Sequence, residues 1–548
     1  MARPGGGRGA AAGGGMLGVV GSGGMTATAK SLRQAMAGLH TWTGLLFGWL
    51  LYAMFLTGAV SYFREEISQW MRPEVPALRQ APDAAASTAS AIAGLQRLAP
   101  GASQWVIDLA DERRNFIAAS WRIGGGHGRA MLDPLTGKAV LARETTGGEF
   151  FYYFHFSLHY LPRAPARWLV GLATMFMLVA IISGVITHKK IFTNFFTFRP
   201  GKGARSWLDG HNMLSVWVLP FHLLITYTGL ITLMTLYMPW GIDSAPGAAQ
   251  VRQSLRAEMT ALMPPGAPSG RAAPLADVGA MVNEAERRWG SGGVSRLIVD
   301  HPGDAASRVR VVRSDATRVS VSPRYLAFDG AEGALLERKD HSEPAAETRG
   351  VLYGLHLGRF AGVVLRWMYF LASLAGAGMV ATGLVLWAVK RRARRRHLDA
   401  GQPPVGLRLV ERLNIAAIAG LPVAMAAFFW GNRLLPAGIA GRPDWEIHLF
   451  FAAWLLMLFH ASVRPARRAW TEQFGAAAVL CATLPLWNLL AGKRHLLAAI
   501  READWVFAGF ELALLAAAAM FAAISMKTAR VGQELEAKPR VTSGGILG

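Results

Sequence analysis

Cysteine is almost missing from this chain: a single one, Cys481, stands in an apolar run among 548 residues. That excludes a disulfide framework, a CxxC redox pair, a thiolate-ligated cluster and a CxxCH site for covalently attached haem. Charge is also scarce. Only 17% of residues are Asp, Glu, Lys or Arg, against about 25% in soluble domains. Acids are the scarcer sign, 35 against 57 Lys and Arg, so the formal charge is +22. Such a balance points to nucleic acid or to a membrane surface. Apolar residues fill the gap at 52%, with 18 Trp, and argue against a purely soluble enzyme. Redox chemistry here must use ligands other than thiolate, and the fourteen histidines are the candidates.

Residues 1–30 are rich in Gly and Ala and read as a cytoplasmic tail without fixed structure. No strand precedes the glycines and no Lys stands in register, so they are spacer and not a phosphate loop. Eight apolar stretches approach or reach the roughly 20 residues that a bilayer requires. They lie near 39–62, 167–188, 211–237, 365–389, 412–433, 446–463, 472–491 and 504–526. The first is too long for the apolar region of a signal peptide and lacks a cleavage site after it. Two long polar segments, 63–166 and 238–364, interrupt the series.

The positive charge clusters between spans: Lys189, Lys190, Arg199, Lys202 and Arg205, then the run Lys390–Arg396, then Arg464, Arg467 and Arg468. Positive loops face the cytoplasm. Directly after an apolar span, the 390–396 run is a stop-transfer anchor and not a nucleic-acid patch. The expected protein is therefore multi-pass in a bacterial inner membrane. Both termini lie inside, and the two polar segments lie in the periplasm.

An internal repeat is visible. His40-Thr-Trp-Thr-Gly44 leads to Thr57-Gly58, and His211-Asn-Met-Leu-Ser215 leads to Thr228-Gly229, each Thr-Gly beginning 17 residues after its histidine. Arg167-Trp168 precedes Ser183-Gly184 at the offset by which Arg366-Trp367 precedes Thr382-Gly383. Upstream stand Leu158-His159 and Leu355-His356, and before them Asp133-Pro-Leu-Thr-Gly137 and Asp329-Gly-Ala-Glu-Gly333. The reading is a duplicated helix–soluble module–helix unit, 31–190 and 209–396 joined by an inner loop at 191–208. Four added spans over 397–530 and a tail at 531–548 follow. Parallel repeats are related by an axis along the membrane normal. His40 should then face His211 near the cytoplasmic surface, and His159 should face His356 near the periplasmic one. Intramembrane ionisable residues are functional candidates, and imidazole is an axial haem ligand in helical bundles. Two bis-histidine haem b groups, one near each face, would make an electron path across the membrane.

At these residues the chain resembles the PepSY-associated transmembrane family, the iron-regulated membrane proteins. The resembling stretches are Leu39-His-Thr-Trp-Thr-Gly44, Phe154-His-Phe-Ser-Leu-His-Tyr160, Ser183-Gly-Val-Ile-Thr-His188 with Lys-Lys-Ile-Phe192, Trp207-Leu-Asp-Gly-His-Asn212, Leu219-Pro-Phe-His222 and Gly354-Leu-His-Leu-Gly358. They cover residues 30–395. The resemblance implies two periplasmic α/β PepSY-type modules and, from the reductase members, haem-mediated reduction of ferric siderophores. In those terms His40, His211, His159 and His356 carry over as ligands of the haem iron. Helices expected at 87–98 and 276–289, and strands at 103–109, 115–122, 296–300 and 307–313, suit such modules.

Two features depart from the family pattern: the four added spans, and His155, His188 and His222, whose counterparts are Leu352, Trp387 and Leu51. His155 is the rival ligand to His159 and His188 the rival near the inner surface. His222 is open to a third haem, a substitute ligand or a buried hydrogen bond. No flavin or nicotinamide motif stands in a usable context, so a quinol or a separate donor would supply electrons to a ferric siderophore or other ferric chelate. The added spans hold Asp444, Glu446, His448, His460, Glu472, Asp504 and Glu511. They read as interfacial, with Asp504 and Glu511 on one helix face and proton or quinone handling as the alternative, and no catalytic residue is singled out. Asp300, His301 and Asp304 form a turn, not a metal cluster. Two other classes remain open: a transporter whose paired histidines relay protons or bind a metal, and a PepSY-based regulatory binding protein.

Overall fold

The computed structural model describes residues 23–536 except 79, 81, 189–196, 264, 399–401 and 493. The tails expected at 1–30 and 531–548 and the loop expected at 191–208 fall wholly or partly outside these. Helix α1 (Gly23–Ser61) leads through α2 (Arg64–Trp70) to α3 (Ala84–Leu98) and strands β1 (Gln104–Asp108), β2 (Ile117–Ile123) and β3 (Gly126–Leu132). The chain returns through α4 (Glu149–Ser157) and α5 (Arg163–Thr187). Next come α6 (Ala204–Trp217), α7 (Leu219–Thr232), the short α8 (Met234–Tyr237) and α9 (Trp240–Asp243), and α10 (Ala248–Met259). A second soluble stretch holds α11 (Val278–Trp289), β4 (Val294–Asp300), β5 (Arg308–Arg313), β6 (Tyr325–Asp329) and β7 (Leu335–Lys339), and α12 (Pro344–Leu357) and α13 (Val363–His397) follow. The chain ends in α14 (Val405–Ile418), α15 (Gly420–Leu434), α16 (Arg442–Val463), α17 (Ala466–Ala491), α18 (Leu496–Arg501) and α19 (Trp505–Glu536).

Among the described residues seven helical spans are long and apolar enough to cross a membrane, and α6–α7, bent by 68°, makes an eighth if the bent pair is one span. This is a multi-pass membrane protein. The third expected span is thus broken, not continuous, and Pro220 explains it. Proline lacks an N–H and its ring clashes with the carbonyl four residues back, so the helix stops at Trp217 and restarts at Leu219. Asp504 stands at the start of the helix that carries Glu511, not within it. It precedes α19 and accepts from the Phe507 N–H at 3.2 Å.

All seven strands form one antiparallel sheet in the order β3-β2-β1-β4-β5-β6-β7. The two segments expected as modules therefore meet in a single sheet, joined where β1 pairs β4 from Gln104↔Asp300 to Asp108↔Arg296. Alternation of buried side chains covers one face with α3 and α11, packing Leu95, Trp105, Ile107, Val282, Leu297, Val311 and Phe328 into one core. Both helices start from an aspartate cap: Asp83 accepts from the Ala86 N–H at 2.7 Å, and Asp277 from the Ala280 N–H at 3.2 Å. At the seam, Arg310 donates to Asp300 at 2.6 Å and Gln104 donates to its other oxygen at 2.7 Å, all three buried.

The helices from α15 onward share a second core with α1, α2 and α4, centred on Trp70, Phe151, Phe428, Phe450 and Phe507. Glu446 and Glu511 are fully buried there, not interfacial as expected. Arg442 pairs with Glu446 at 2.5 Å, while Thr145 and Asn432 donate to the same carboxylate. Asn488 donates to Glu511 at 2.5 Å.

Candidate functional site

Four imidazoles sit in two facing pairs, three anchored on a helix carbonyl and one on a hydroxyl. His40 on α1 donates from Nδ1 to the Ala180 carbonyl of α5 at 2.8 Å. His211 on α6 donates to Met379 of α13 at 2.8 Å, and His155 on α4 donates to Met54 of α1 at 2.7 Å. His356 on α12 places Nδ1 3.1 Å from the Thr228 hydroxyl of α7, beside the Ile225 carbonyl. Four residues after each of these carbonyls stands a glycine: Gly184, Gly383, Gly58 and Gly229. A Cβ there would meet the imidazole at 3.1 Å in three cases and at 2.8 Å at Gly58. A helical carbonyl already accepts from the N–H four residues on. Glycine at that position removes the side chain that would shield the carbonyl, so a second donor can reach it.

The residue before each glycine is Ser183, Thr382, Thr57 or Thr228, and each hydroxyl donates to the carbonyl four residues back in its own helix at 2.6–2.8 Å. These residues therefore expose no unsatisfied polar group beside the ring. The Ser/Thr-Gly dipeptides that mark the repeat in the sequence are the four histidine cradles.

A carbonyl only accepts, so a ring nitrogen bonded to one carries the proton, and the other nitrogen keeps its lone pair. Among the described residues no protein group bonds Nε2 of His40, His211, His155 or His356. Their ring centroids face each other at 6.1 Å (His40–His211) and 6.2 Å (His155–His356). Two imidazoles on opposite sides of one metal, with metal–nitrogen bonds of about 2.0 Å plus a ring radius each, place their centroids about 6 Å apart. The Nδ1 bonds are the outer-shell contacts that fix a ligating imidazole. Along α1 the two pairs are separated by the eighteen residues from His40 to Gly58, about 27 Å at about 1.5 Å per residue. That matches a hydrocarbon core about 30 Å thick.

His40 and His211 come together as expected. His159 does not face His356, and His155 takes that place. Helix α4 ends at Ser157 and Leu158 turns the chain at φ 52°, so His159 lies beyond the helix, stacked on Phe451 with centroids 5.7 Å apart. His155, one turn earlier, is on the inward face. His188 follows α5 as an electrostatic neighbour of His40 and joins no ring pair among the described residues. His222 is fully buried just after the α6–α7 break, against Phe55, and neither ring nitrogen has a hydrogen-bond partner among the described residues. His448 bonds the Tyr160 hydroxyl, and His460 bonds Glu472 at 2.9 Å. Asp304 caps a turn, accepting from Ser269, Gly270 and Ala306 at 2.7–2.9 Å. These hydrogen bonds, the Ser269 hydroxyl first, hold its carboxyl well below the usual aspartate range.

The His155–His356 pair lines a cavity of about 470 Å³ that continues past Gly58 and Tyr62 to the underside of the sheet at Arg296 and Arg313. Nothing in the sequence alone marked this space, because its walls come from both soluble segments and four membrane helices. Above it Glu66 accepts from Arg113 at 2.9 and 3.0 Å and from Arg366 at 2.6 Å, tying the sheet segment to α13. Among the described residues no group of three or more His, Cys, Asp or Glu could hold a metal ion. Two imidazoles per site are too few to hold a bare metal ion, so a metal there would need a group that brings further ligands of its own.

Fold and site together define a multi-pass helical membrane protein whose sheet stands over histidines paired between its apolar helices. The pattern of the family described as PepSY-associated TM region matches residues 37–390, and the chain belongs to that family. An uncharacterized protein of Pseudomonas aeruginosa is 26% identical over 309 residues, covering 53% of this chain and 74% of its own length. All four paired histidines lie inside the family match, and α14–α19 lie beyond it.

Proposed function

We propose that this chain is a bacterial inner-membrane electron-transfer protein that holds two haem b groups, one per histidine pair, and reduces a ferric siderophore or another ferric chelate. The reading places both termini in the cytoplasm, the sheet in the periplasm, and α6–α7 as one of eight spans. It takes residues 31–190 and 209–396 as a duplicated unit. The observation that carries it is the set of four Nδ1-anchored imidazoles in two pairs with centroids 6.1 and 6.2 Å apart. The donor set fits a haem: two neutral imidazoles with free Nε2 lone pairs, each opposite a glycine that admits the ring.

Bound between such a pair, a haem iron supplies reversible one-electron chemistry without thiolate. The chain's own residues do the rest. The carbonyls of Ala180, Met379 and Met54, and for His356 the Thr228 oxygen, hold each tautomer. The four glycines let helix backbone approach the rings. The cavity over His155 and His356 lets a substrate come close while the sheet limits access of water. Fe(III) gains one electron and becomes Fe(II), which binds hard oxygen ligands less tightly. A quinol or a separate donor protein supplies the electron.

The test is direct. Protein purified from haem-sufficient cells should be red, with a Soret band that shifts on dithionite and about two acid-extractable haems per chain. Colourless protein would sink this reading.

A further inference from the structure

The cavity above His155 and His356 is lined by six arginines, and five of them are matched. Arg113 pairs with Glu66 at 2.9 Å, Arg296 with Asp108 at 2.6 Å, and Arg64 with Glu149 at 3.2 Å. Arg359 pairs with Asp315 at 3.3 Å and Arg114 with Glu65 at 3.4 Å. The sixth, Arg313, ends β5 and has no carboxylate within ion-pair distance among the described residues. Its Nε is buried without a hydrogen-bond partner. Its surroundings raise the cost of that isolation. Arg324 and Arg318 are its electrostatic neighbours. Arg318 spends its guanidinium on the Ser322 carbonyl at 3.2–3.3 Å, and Arg324 reaches Glu347 only at 3.8 Å. Two carboxylates, Asp315 and Glu347, thus face four guanidinium groups.

A half-buried cation without a counter-charge is costly, and a bidentate guanidinium–carboxylate contact is the strong way to relieve it. We propose that Arg313 is the anion-recognition residue of this cavity, taking a carboxylate of a negatively charged ferric chelate and selecting anionic over neutral chelates. The inference rests on the reductase reading for the identity of the cargo, but not for the binding itself. A volume near 470 Å³ suits a small chelate, since small-molecule sites run about 300–1,000 Å³.

The experiment uses full-length protein in detergent and redox-inert gallium complexes, with binding followed by calorimetry. Gallium(III) citrate, which is anionic, should bind with an affinity that falls as salt rises. Arg313→Gln should weaken it about tenfold or more and leave an uncharged gallium(III) trihydroxamate unaffected, while Arg313→Lys should recover part of the loss. Equal loss for both complexes, or no loss for citrate, overturns the proposal. So does a variant that sheds haem absorbance while still binding gallium citrate, because the carboxylate would then belong to the porphyrin. Gallium binding needs no electron transfer, so colourless wild-type protein that binds citrate through Arg313 sinks only the reductase reading. Red protein indifferent to Arg313 sinks only this inference.

Discussion

The two histidine pairs are built alike and placed unlike. Three imidazoles are fixed by a helix carbonyl and the fourth, His356, by the Thr228 hydroxyl, and each ring lies against a glycine of the helix that holds it. The surroundings differ. His155 and His356 line a cavity that reaches the sheet, whereas His40 and His211 sit at the other end of α1, where His188 and Lys390 act on them electrostatically. The lesson is that seating a ligand and granting access to it are separate tasks. The seat is local, needing five residues of one helix, and access is made by the whole fold. In the proposed function the His40–His211 pair would receive electrons and the His155–His356 pair would deliver them.

The largest expected effect tests the pairing itself. His155→Ala and His356→Ala should each remove the same half of the Soret absorbance, and His40→Ala and His211→Ala the other half, while His159→Ala leaves both. If His159→Ala removes the half that His356→Ala removes, the His155–His356 pair is wrongly assigned. Next comes the seat. A Cβ at Gly58 would lie 2.8 Å from two atoms of the His155 ring, against 3.1 and 3.2 Å at Gly184 beside His40. Overpacking costs about 1–3 kcal/mol, so Gly58→Ala should loosen its haem more than Gly184→Ala, read as high-spin signal in the electron paramagnetic resonance spectrum. Equal effects would mean that the His155 site yields more easily than its geometry indicates.

Thr228→Val removes the hydroxyl 3.1 Å from Nδ1 of His356, and losing such an outer-shell partner weakens metal sites by about tenfold. The matching Thr57 bonds only its own helix, so when haem loss to added apo-myoglobin is followed, Thr57→Val should retain haem better than Thr228→Val. The smallest effect lies in the sheet over the His155–His356 pair. The folded-state pKa of Asp304 is depressed by its hydrogen bonds. Its stabilising contribution is therefore present above the unfolded aspartate value of about 3.9 and is lost as pH falls through the lower folded one. Protection of the Ser269, Gly270 and Ala306 amides, measured as exchange relative to their intrinsic rates, should fall in strong acid, and Asp304→Asn should remove that dependence.

Much of this was legible in the sequence because membranes simplify patterns. Apolar length marks a span. The two helices and four strands expected in the soluble segments lie within a few residues of α3, α11, β1, β2, β4 and β5, while β3, β6 and β7 were not foreseen. The His40–His211 pair was legible too, since both residues are followed by the same small-residue spacing. The other pair was obscured by one helical turn. Aligning Leu158-His159 with Leu355-His356 matched dipeptides, but α4 ends before His159, and only the helix end decides which histidine points inward. The Thr-Gly dipeptides were noticed as anchors of a repeat, and their role as seats needed the partner helix. The break at Pro220 was written in the residue type, yet a 27-residue apolar stretch from 211 to 237 outweighed it. The cavity and its unmatched Arg313 depend on contacts across hundreds of residues, which no local pattern carries.

The seam between β1 and β4 makes the two halves mutually dependent outside the lipid. Five backbone pairs from Gln104↔Asp300 to Asp108↔Arg296 occupy what would otherwise be the free margin of a three-stranded or a four-stranded sheet. A bare margin of that kind recruits other strands. A chain cut between α5 and α6 would thus yield fragments that stick, either to each other in the native register or to copies of themselves. In the intact protein one continuous hydrogen-bonded ribbon acts as a yoke, setting the lateral spacing of the helices below it and with it the gap between facing imidazoles.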